Sequence, residues 1–229
     1  MTSEPTGHPR GIYTLFFTEM WERWSYYGMR ALMVPFMTMA SGGIGFEKKQ
    51  AMAIFGLYLA TVYASAFPGG WVGDRLLGTK RAVWWGGVAI ALGHLILAMH
   101  GRTTFFLGLL IIALGSGLLK SNMSALVGLL YPEGGQRRDA GFTIFYMGIN
   151  LGAFVGPLIS GWLQQSEGLG WRWAFGSATA GMFLGLVQWQ LTRKALEGVG
   201  ERIAHPGQNL KREWVIFYMA LIGLATVVI

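Results

Sequence analysis

No cysteine occurs among the 229 residues, which excludes disulfides, thiolate metal sites and cysteine nucleophiles. Charge is also scarce. Only 13% of the residues are charged, against about 25% in a soluble domain, so much of the surface has no need to meet water. Acidic residues are the rarer sign, with 11 Asp and Glu against 18 Lys and Arg. The four histidines, His8, His94, His100 and His205, fall in tails or near the ends of apolar stretches. No H-E-x-x-H, phosphate-loop or G-x-S-x-G pattern accompanies them. Nothing in the sequence points to an enzyme, a bound cofactor or a metal site.

What is abundant is apolar: 53% of the chain is hydrophobic and 35 residues are glycine. At roughly 20 residues per membrane span, apolar runs near 12–39, 50–71, 82–99, 104–130, 141–163 and 173–191 use most of the chain. The expected fold is all-α and polytopic: a cytoplasmic tail over 1–11, a six-helix transmembrane bundle over 12–191, a connector over 192–213 and the start of a further helix over 214–229. The stretch Met1–Arg10 holds no apolar run, so no cleavable signal peptide is expected. Pro206-Gly207 marks the connector as a loop.

The basic residues sort by side. One set of alternate connections receives Arg10, then Arg75, Lys80 and Arg81, then Arg137 and Arg138, then Arg193, Lys194, Arg202, Lys211 and Arg212. The other receives only Lys48, Lys49, Arg102 and Arg172. The positive-inside rule puts the N-terminus in the cytoplasm. It also accounts for the basic pI as a topology signal, so no nucleic-acid partner is expected. Glycines at four-residue spacing, Gly148, Gly152 and Gly156, predict close helix–helix packing within lipid.

The first span carries Glu19, Glu22, Arg23 and Arg30, and its helical period gathers them with Tyr26 and Tyr27 within an arc of roughly 140°. A charge at the bilayer centre costs about 2.5–3.5 kcal/mol on insertion scales, so this face needs a polar cavity. A surface-lying amphipathic helix and a fixed structural ion-pair cluster are the competing readings; the second leaves Arg30 without an acidic partner. Lys120 on the fourth span stands about 15 Å from the Tyr131–Pro132 end at 1.5 Å per residue, too deep to snorkel, and needs a partner inside the bundle. Two carboxylates against three cations leave a net positive interior, a standing site for an anion. Spans one and four are equivalent in a bundle built from two three-helix repeats, with the site between them at the midplane.

The run Glu19-Met20-Trp21-Glu22-Arg23-Trp24-Ser25-Tyr26-Tyr27-Gly28 resembles the E-x-x-E-R-F-x-Y-Y-G signature of the proton-dependent oligopeptide transporter family, within the major facilitator superfamily. Only Trp24 departs from it. Gly70–Arg81 resembles the superfamily's loop between spans two and three, and Phe145–Gly152 resembles the family's F-Y-x-x-I-N-x-G. Leu119–Asn122 resembles its Leu-Lys-Pro-Asn segment, with Ser121 in place of proline. The likeness covers essentially the whole chain, but only the first half of such a transporter.

The resemblance implies proton-coupled uptake of di- and tripeptides by alternating access across the plasma membrane, as in a bacterial inner membrane, with protons as the coupling ion and no cofactor. It implies that Arg30 and Lys120 bind the peptide carboxylate, that Tyr26, Tyr27, Tyr63 and Asn150 line the pocket, and that Glu19, Glu22 and Arg23 couple protons. Asp74 and Arg75 would join a pairing network that stabilises one facing state, or serve only as orientation signals. The implied partners are the peptide, membrane lipid and a C-terminal half that completes the cavity. Transport of another organic or inorganic anion uses the same cations, and a non-transporting membrane interaction module is the reading from a different class.

Overall fold

The computed structural model describes residues 7–99, 101–202, 209–215, 217 and 219. Six long helical segments follow one another. Helix α1 (Gly11–Thr38) is followed by a second segment in three pieces: α2 (Lys48–Ala64), α3 (Ala66–Val72) and a π-helical turn over Gly73–Leu77. Helices α4 (Thr79–Leu97), α5 (Arg102–Leu129), α6 (Gly135–Gln165) and α7 (Gly170–Thr192) complete the bundle. The segments Lys48–Leu77, Arg102–Leu129 and Gly135–Gln165 are each long and apolar enough to cross a membrane. Residues 210–215 begin another helix. The remainder of the expected 214–229 element, apart from residues 217 and 219, lies outside the described residues, as do His100, His205 and Pro206-Gly207.

Glycine seams hold the helices together. A Cβ at Gly148 would stand 2.6 Å from the Phe16 carbonyl oxygen, and Cβ atoms at Gly152 and Gly156 would collide with the carbonyls of Met20 and Trp24. The expected ladder is thus the seam between α6 and α1, where small residues let two backbones meet. The α4–α5 seam is reciprocal: Gly86 faces Gly115, and Gly93 faces Gly108, with each added Cβ 2.8–2.9 Å from the opposing carbonyl oxygen.

The second span differs from a simple apolar rod. At Ser65, between α2 and α3, the backbone stays helical and its N–H donates to Thr61 O at 2.9 Å, while the hydroxyl lies 2.8 Å from Val62 O and reaches across to Ala113 O at 2.7 Å. Past Ser65 α3 presses on α5, with Gly69 against the Gly117 backbone and Gly73 against the Asn122 side chain. Asn122 Nδ2 donates to Gly69 O at 3.0 Å and to Leu118 O at 2.7 Å. In place of the proline of the resembled motif, Ser121 donates its hydroxyl to Gly117 O at 2.9 Å, and α5 runs unbroken past Lys120. The turn ends at Gly78, whose φ of 81° suits a residue without a Cβ.

Two apolar clusters fill the interior. One, near the N-terminal end of α1, includes Ile12, Leu15, Met123, Leu126 and Trp189; the other, toward the opposite end, includes Met33, Phe36, Phe105 and Phe175. Along α1 the segment Glu19–Arg23 falls between them, so the ionisable residues occupy the middle of the bundle.

Candidate functional site

Helix periodicity brings three of the four charged residues of α1 together, Glu19, Glu22 and Arg23, and leaves Arg30 apart. Arg23 Nε lies 2.9 Å from Glu19 Oε1, one turn back, and Nη2 lies 2.5 Å from Glu22 Oε2. All three are buried, with exposures of 5% for Arg23, 4% for Glu19 and 0% for Glu22. Such a cluster is tolerable in a low-dielectric interior only because the charges pair. The pairing is incomplete as hydrogen bonding: Glu19 Oε2, both Glu22 carboxylate oxygens and Arg23 Nε have no partner of hydrogen-bond geometry among the described residues, so the Arg23 contacts are ion pairs by distance. From Ser25 onward the reverse face of α1 meets protein. Gly28 abuts Gly156, its carbonyl accepts from Ser160 Oγ at 3.1 Å, and Ser25 is fully buried beside Met182.

The other two interior cations have aromatic neighbours in place of carboxylates. Lys120 Nζ sits 4.5 Å from the Tyr26 ring centroid and 5.6 Å from that of Tyr63. The Arg30 guanidinium stands 5.8 Å from the Tyr27 ring and 5.4 Å from Phe55. Arg23 lies 5.3 Å from the Tyr26 ring, which therefore neighbours two cations, and Tyr26 meets Tyr27 edge-on at 5.3 Å. The negative faces of these rings attract cations without neutralising them. Neither Arg30 nor Lys120 forms an ion pair among the described residues. The partner expected for Lys120 is thus a pair of tyrosine rings, and the field of Arg23, Glu22, Glu19 and Arg30 reaches it.

One connected constellation therefore unites Glu19, Glu22, Arg23, Tyr26, Tyr27, Arg30, Lys120 and Tyr63. Tyr63 remains 71% exposed, facing outward from this chain. Asn150 stands apart: it is exposed on α6, and no hydrogen bond joins it to the cluster among the described residues. Two residues of α2 enter without having been singled out from the sequence. Phe55 flanks Arg30, and Tyr58 is 5% exposed with a hydroxyl that finds no hydrogen-bond partner among the described residues. The recurrence of aromatics at 55, 58 and 63 was the available signal, and an apolar span gave no reason to weigh it.

At the loop between the second and third spans, Asp74 and Arg75 are both exposed. Arg75 Nη1 lies 3.7 Å from Glu213 Oε1, and its carbonyl accepts from Arg202 Nε at 3.4 Å. Asp74 forms no ion pair among the described residues. The segment after α7 closes over this loop: Lys80 N donates to Gly200 O at 3.0 Å, and the Lys80 ammonium pairs with Glu201. His94 is wholly buried, and both its ring nitrogens lack hydrogen-bond partners among the described residues.

A bundle of apolar helices, without strands among the described residues and with a charged, aromatic-walled interior between α1 and α5, is a polytopic membrane bundle of the major facilitator type. A sequence model of the POT family matches residues 80–222, and the chain belongs to that family. Among curated relatives, the peptide transporter YePEPT of Yersinia enterocolitica is 48% identical over 186 residues, covering 79% of this chain and 36% of its own length. A di-/tripeptide transporter of Lactococcus lactis subsp. cremoris is 43% identical over 229 residues, covering 95% of this chain and 46% of its own. A crystal structure of the peptide transporter POT in complex with sulfate superposes with a TM-score of 0.88 at 45% identity, over 98% of this chain and 46% of that one. The chain thus spans less than half the length of these relatives.

Proposed function

We propose that the protein to which this chain belongs is a proton-coupled symporter of di- and tripeptides, and that this chain supplies the wall of the cavity that receives the peptide carboxylate. The observation that carries the reading is the contrast among the three interior cations. Arg23 is held by two carboxylates, whereas Arg30 and Lys120 rest on rings and keep their charge available. A carboxylate arriving between them gains charge-assisted hydrogen bonds, and the Tyr26, Tyr27 and Tyr63 rings offer walls that accept varied side chains. Asn150 supplies an amide for a peptide carbonyl or amine once the cavity closes over it. The names of the relatives favour peptides as substrates.

Proton coupling falls to Glu19 and Glu22. Each has at least one carboxylate oxygen without a hydrogen bond among the described residues, where a proton can reside. Protonation removes half of the charge that holds Arg23, freeing cation for the substrate; loss of the proton restores the pair and biases the bundle toward the other facing state. Per proton, about 2.3 kcal/mol per 100 mV and roughly 1.4 kcal/mol per pH unit support accumulation of a few hundred-fold. The basic-side count favours a cytoplasmic N-terminus, the bacterial relatives favour the inner membrane, and the C-terminal half supplies the opposite wall. The chain needs no cofactor for this cycle.

The test is Glu22→Gln in the full-length protein, reconstituted in liposomes. The variant should lose uphill accumulation of dialanine under a proton gradient and retain peptide exchange. Undiminished uphill uptake would remove Glu22 from coupling. One observation favours a second reading, transport of another anion: the POT structure above holds sulfate. Binding of dialanine and sulfate compared on the same sample separates the two.

A further inference from the structure

On the side of α1 away from its charges lies a feature that peptide transport leaves unused. At about 100° per residue, Tyr13, Phe17 and Trp21 stand roughly 120–200° around the helix from Glu19. With Leu184, Val187 and Leu191 of α7 they wall an open trough of about 800 Å³. Tyr13, Phe17, Leu184, Val187 and Leu191 are exposed, Leu191 to 77%, and Trp21 at the inner end is half-buried. The polar groups along its floor are satisfied among themselves. Thr14 Oγ1 donates to Thr192 O at 3.3 Å, Thr18 Oγ1 to Gln188 Oε1 at 3.0 Å, and Gln188 Nε2 to Thr192 Oγ1 at 2.8 Å. A ligand therefore meets an apolar surface that asks for no hydrogen bonds.

The mouth is different. Arg10, just before α1, and Lys194, just after α7, both line the trough and are both exposed. Among the described residues no acidic side chain lines it and neither cation forms an ion pair. From Arg10 to Trp21 the helix rises about 16 Å at 1.5 Å per residue, close to half of a ~30 Å hydrocarbon core. Two cations at the membrane surface over one leaflet's depth of apolar wall match a molecule with an anionic head and a hydrocarbon tail.

We propose that this trough binds an anionic phospholipid, its phosphate between Arg10 and Lys194 and an acyl chain along Phe17, Trp21 and Leu191. A free phosphate would use the mouth and leave the trough idle, so the apolar length selects the lipid. Basic pockets between membrane helices are established headgroup sites, and each surface cation is worth about 5-fold in anionic-lipid affinity.

Trp21 provides the readout in the full-length protein in mixed micelles. Phosphatidylglycerol brominated along its chain should quench the Trp21 emission, taken as the difference between wild type and Trp21→Phe, at far lower mole fraction than brominated phosphatidylcholine. The double variant Arg10→Gln/Lys194→Gln should lose that preference by about 30-fold. Val187→Trp, which fills the trough and keeps the cations, should weaken quenching by both lipids. Arg138→Gln, the same charge loss at an exposed site on α6 at the same end of the bundle, should change nothing. Equal quenching by the two lipids in wild type, an equal loss in Arg138→Gln, or displacement of the lipid by glycerol phosphate alone would overturn the proposal. So would the absence of Trp21 quenching, the result if a later helix of the protein covers the trough.

Discussion

Removal of Lys120 is the sharpest test of the carboxylate site. Its ammonium has no carboxylate within ion-pair distance among the described residues and stands 4.5 Å from the Tyr26 ring, so Lys120→Ala breaks no ion pair in the empty protein. Beyond a stability loss common to all ligands, a further cost should appear when a substrate carboxylate arrives. Two unit charges 4 Å apart attract by about 4 kcal/mol at an effective dielectric of 20. Desolvation offsets part of this, and truncating one member of a desolvated charge pair costs about 2–5 kcal/mol. Lys120 is only half-buried, which puts the loss near 2 kcal/mol, or roughly 30-fold in affinity. The assay is calorimetric binding of dialanine and of its C-terminal amide to the full-length protein. Dialanine should weaken by about 30-fold, and the amide, which presents no anion, by less than about 3-fold. Loss of the ring contact costs about 0.5–2 kcal/mol of protein stability, and that shift must be the same with either ligand. Arg30→Ala should show the same discrimination, and the double variant should lose less than the sum, because both cations address one carboxylate. Equal weakening of dialanine and its amide would refute the assignment and leave Arg30 and Lys120 as supports of the fold.

The seams and the α3–α5 junction are open to equally direct tests. Gly152→Ala drives a Cβ into the Met20 carbonyl, a backbone atom with nowhere to retreat, and should destabilise by about 1–3 kcal/mol; Gly161→Ala on the same helix meets open space and should be neutral or stabilising. Melting in detergent separates them, and equal Tm values would deny the α1–α6 seam its role. Asn122→Ala withdraws the donor to Gly69 O and Leu118 O, an expected cost of about 1–3 kcal/mol. Because Asn122 lies half a turn from Lys120, the variant should also weaken dialanine binding; unchanged affinity would mean that Lys120 is positioned without that junction.

Much of this architecture is legible in the chain because a bilayer leaves few alternatives. Backbone groups in lipid must be satisfied within helices, so apolar length alone marks the spans, and the helical period alone brings Glu19, Glu22 and Arg23 to one face. The Gly148, Gly152 and Gly156 spacing names a seam for the same reason. Local pattern is silent on contacts between distant segments. The Ser65 hydroxyl ties the second span to another helix by reaching Ala113 O, and Gly73 is required because the Asn122 side chain occupies the space a Cβ would need. Neither partner is near in sequence.

The same division holds at the site. Sequence by itself determined that charges lie inside the membrane, that cations exceed carboxylates and that aromatics accompany them, since these are matters of composition and period. Only the tertiary structure decided which cation is neutralised. Arg23 takes both glutamates, because one turn of α1 brings all three within ion-pair distance, while Arg30 and Lys120 meet rings contributed partly by α2. Pairing depends on which side chains converge in space, and that depends on how helices distant in sequence are packed.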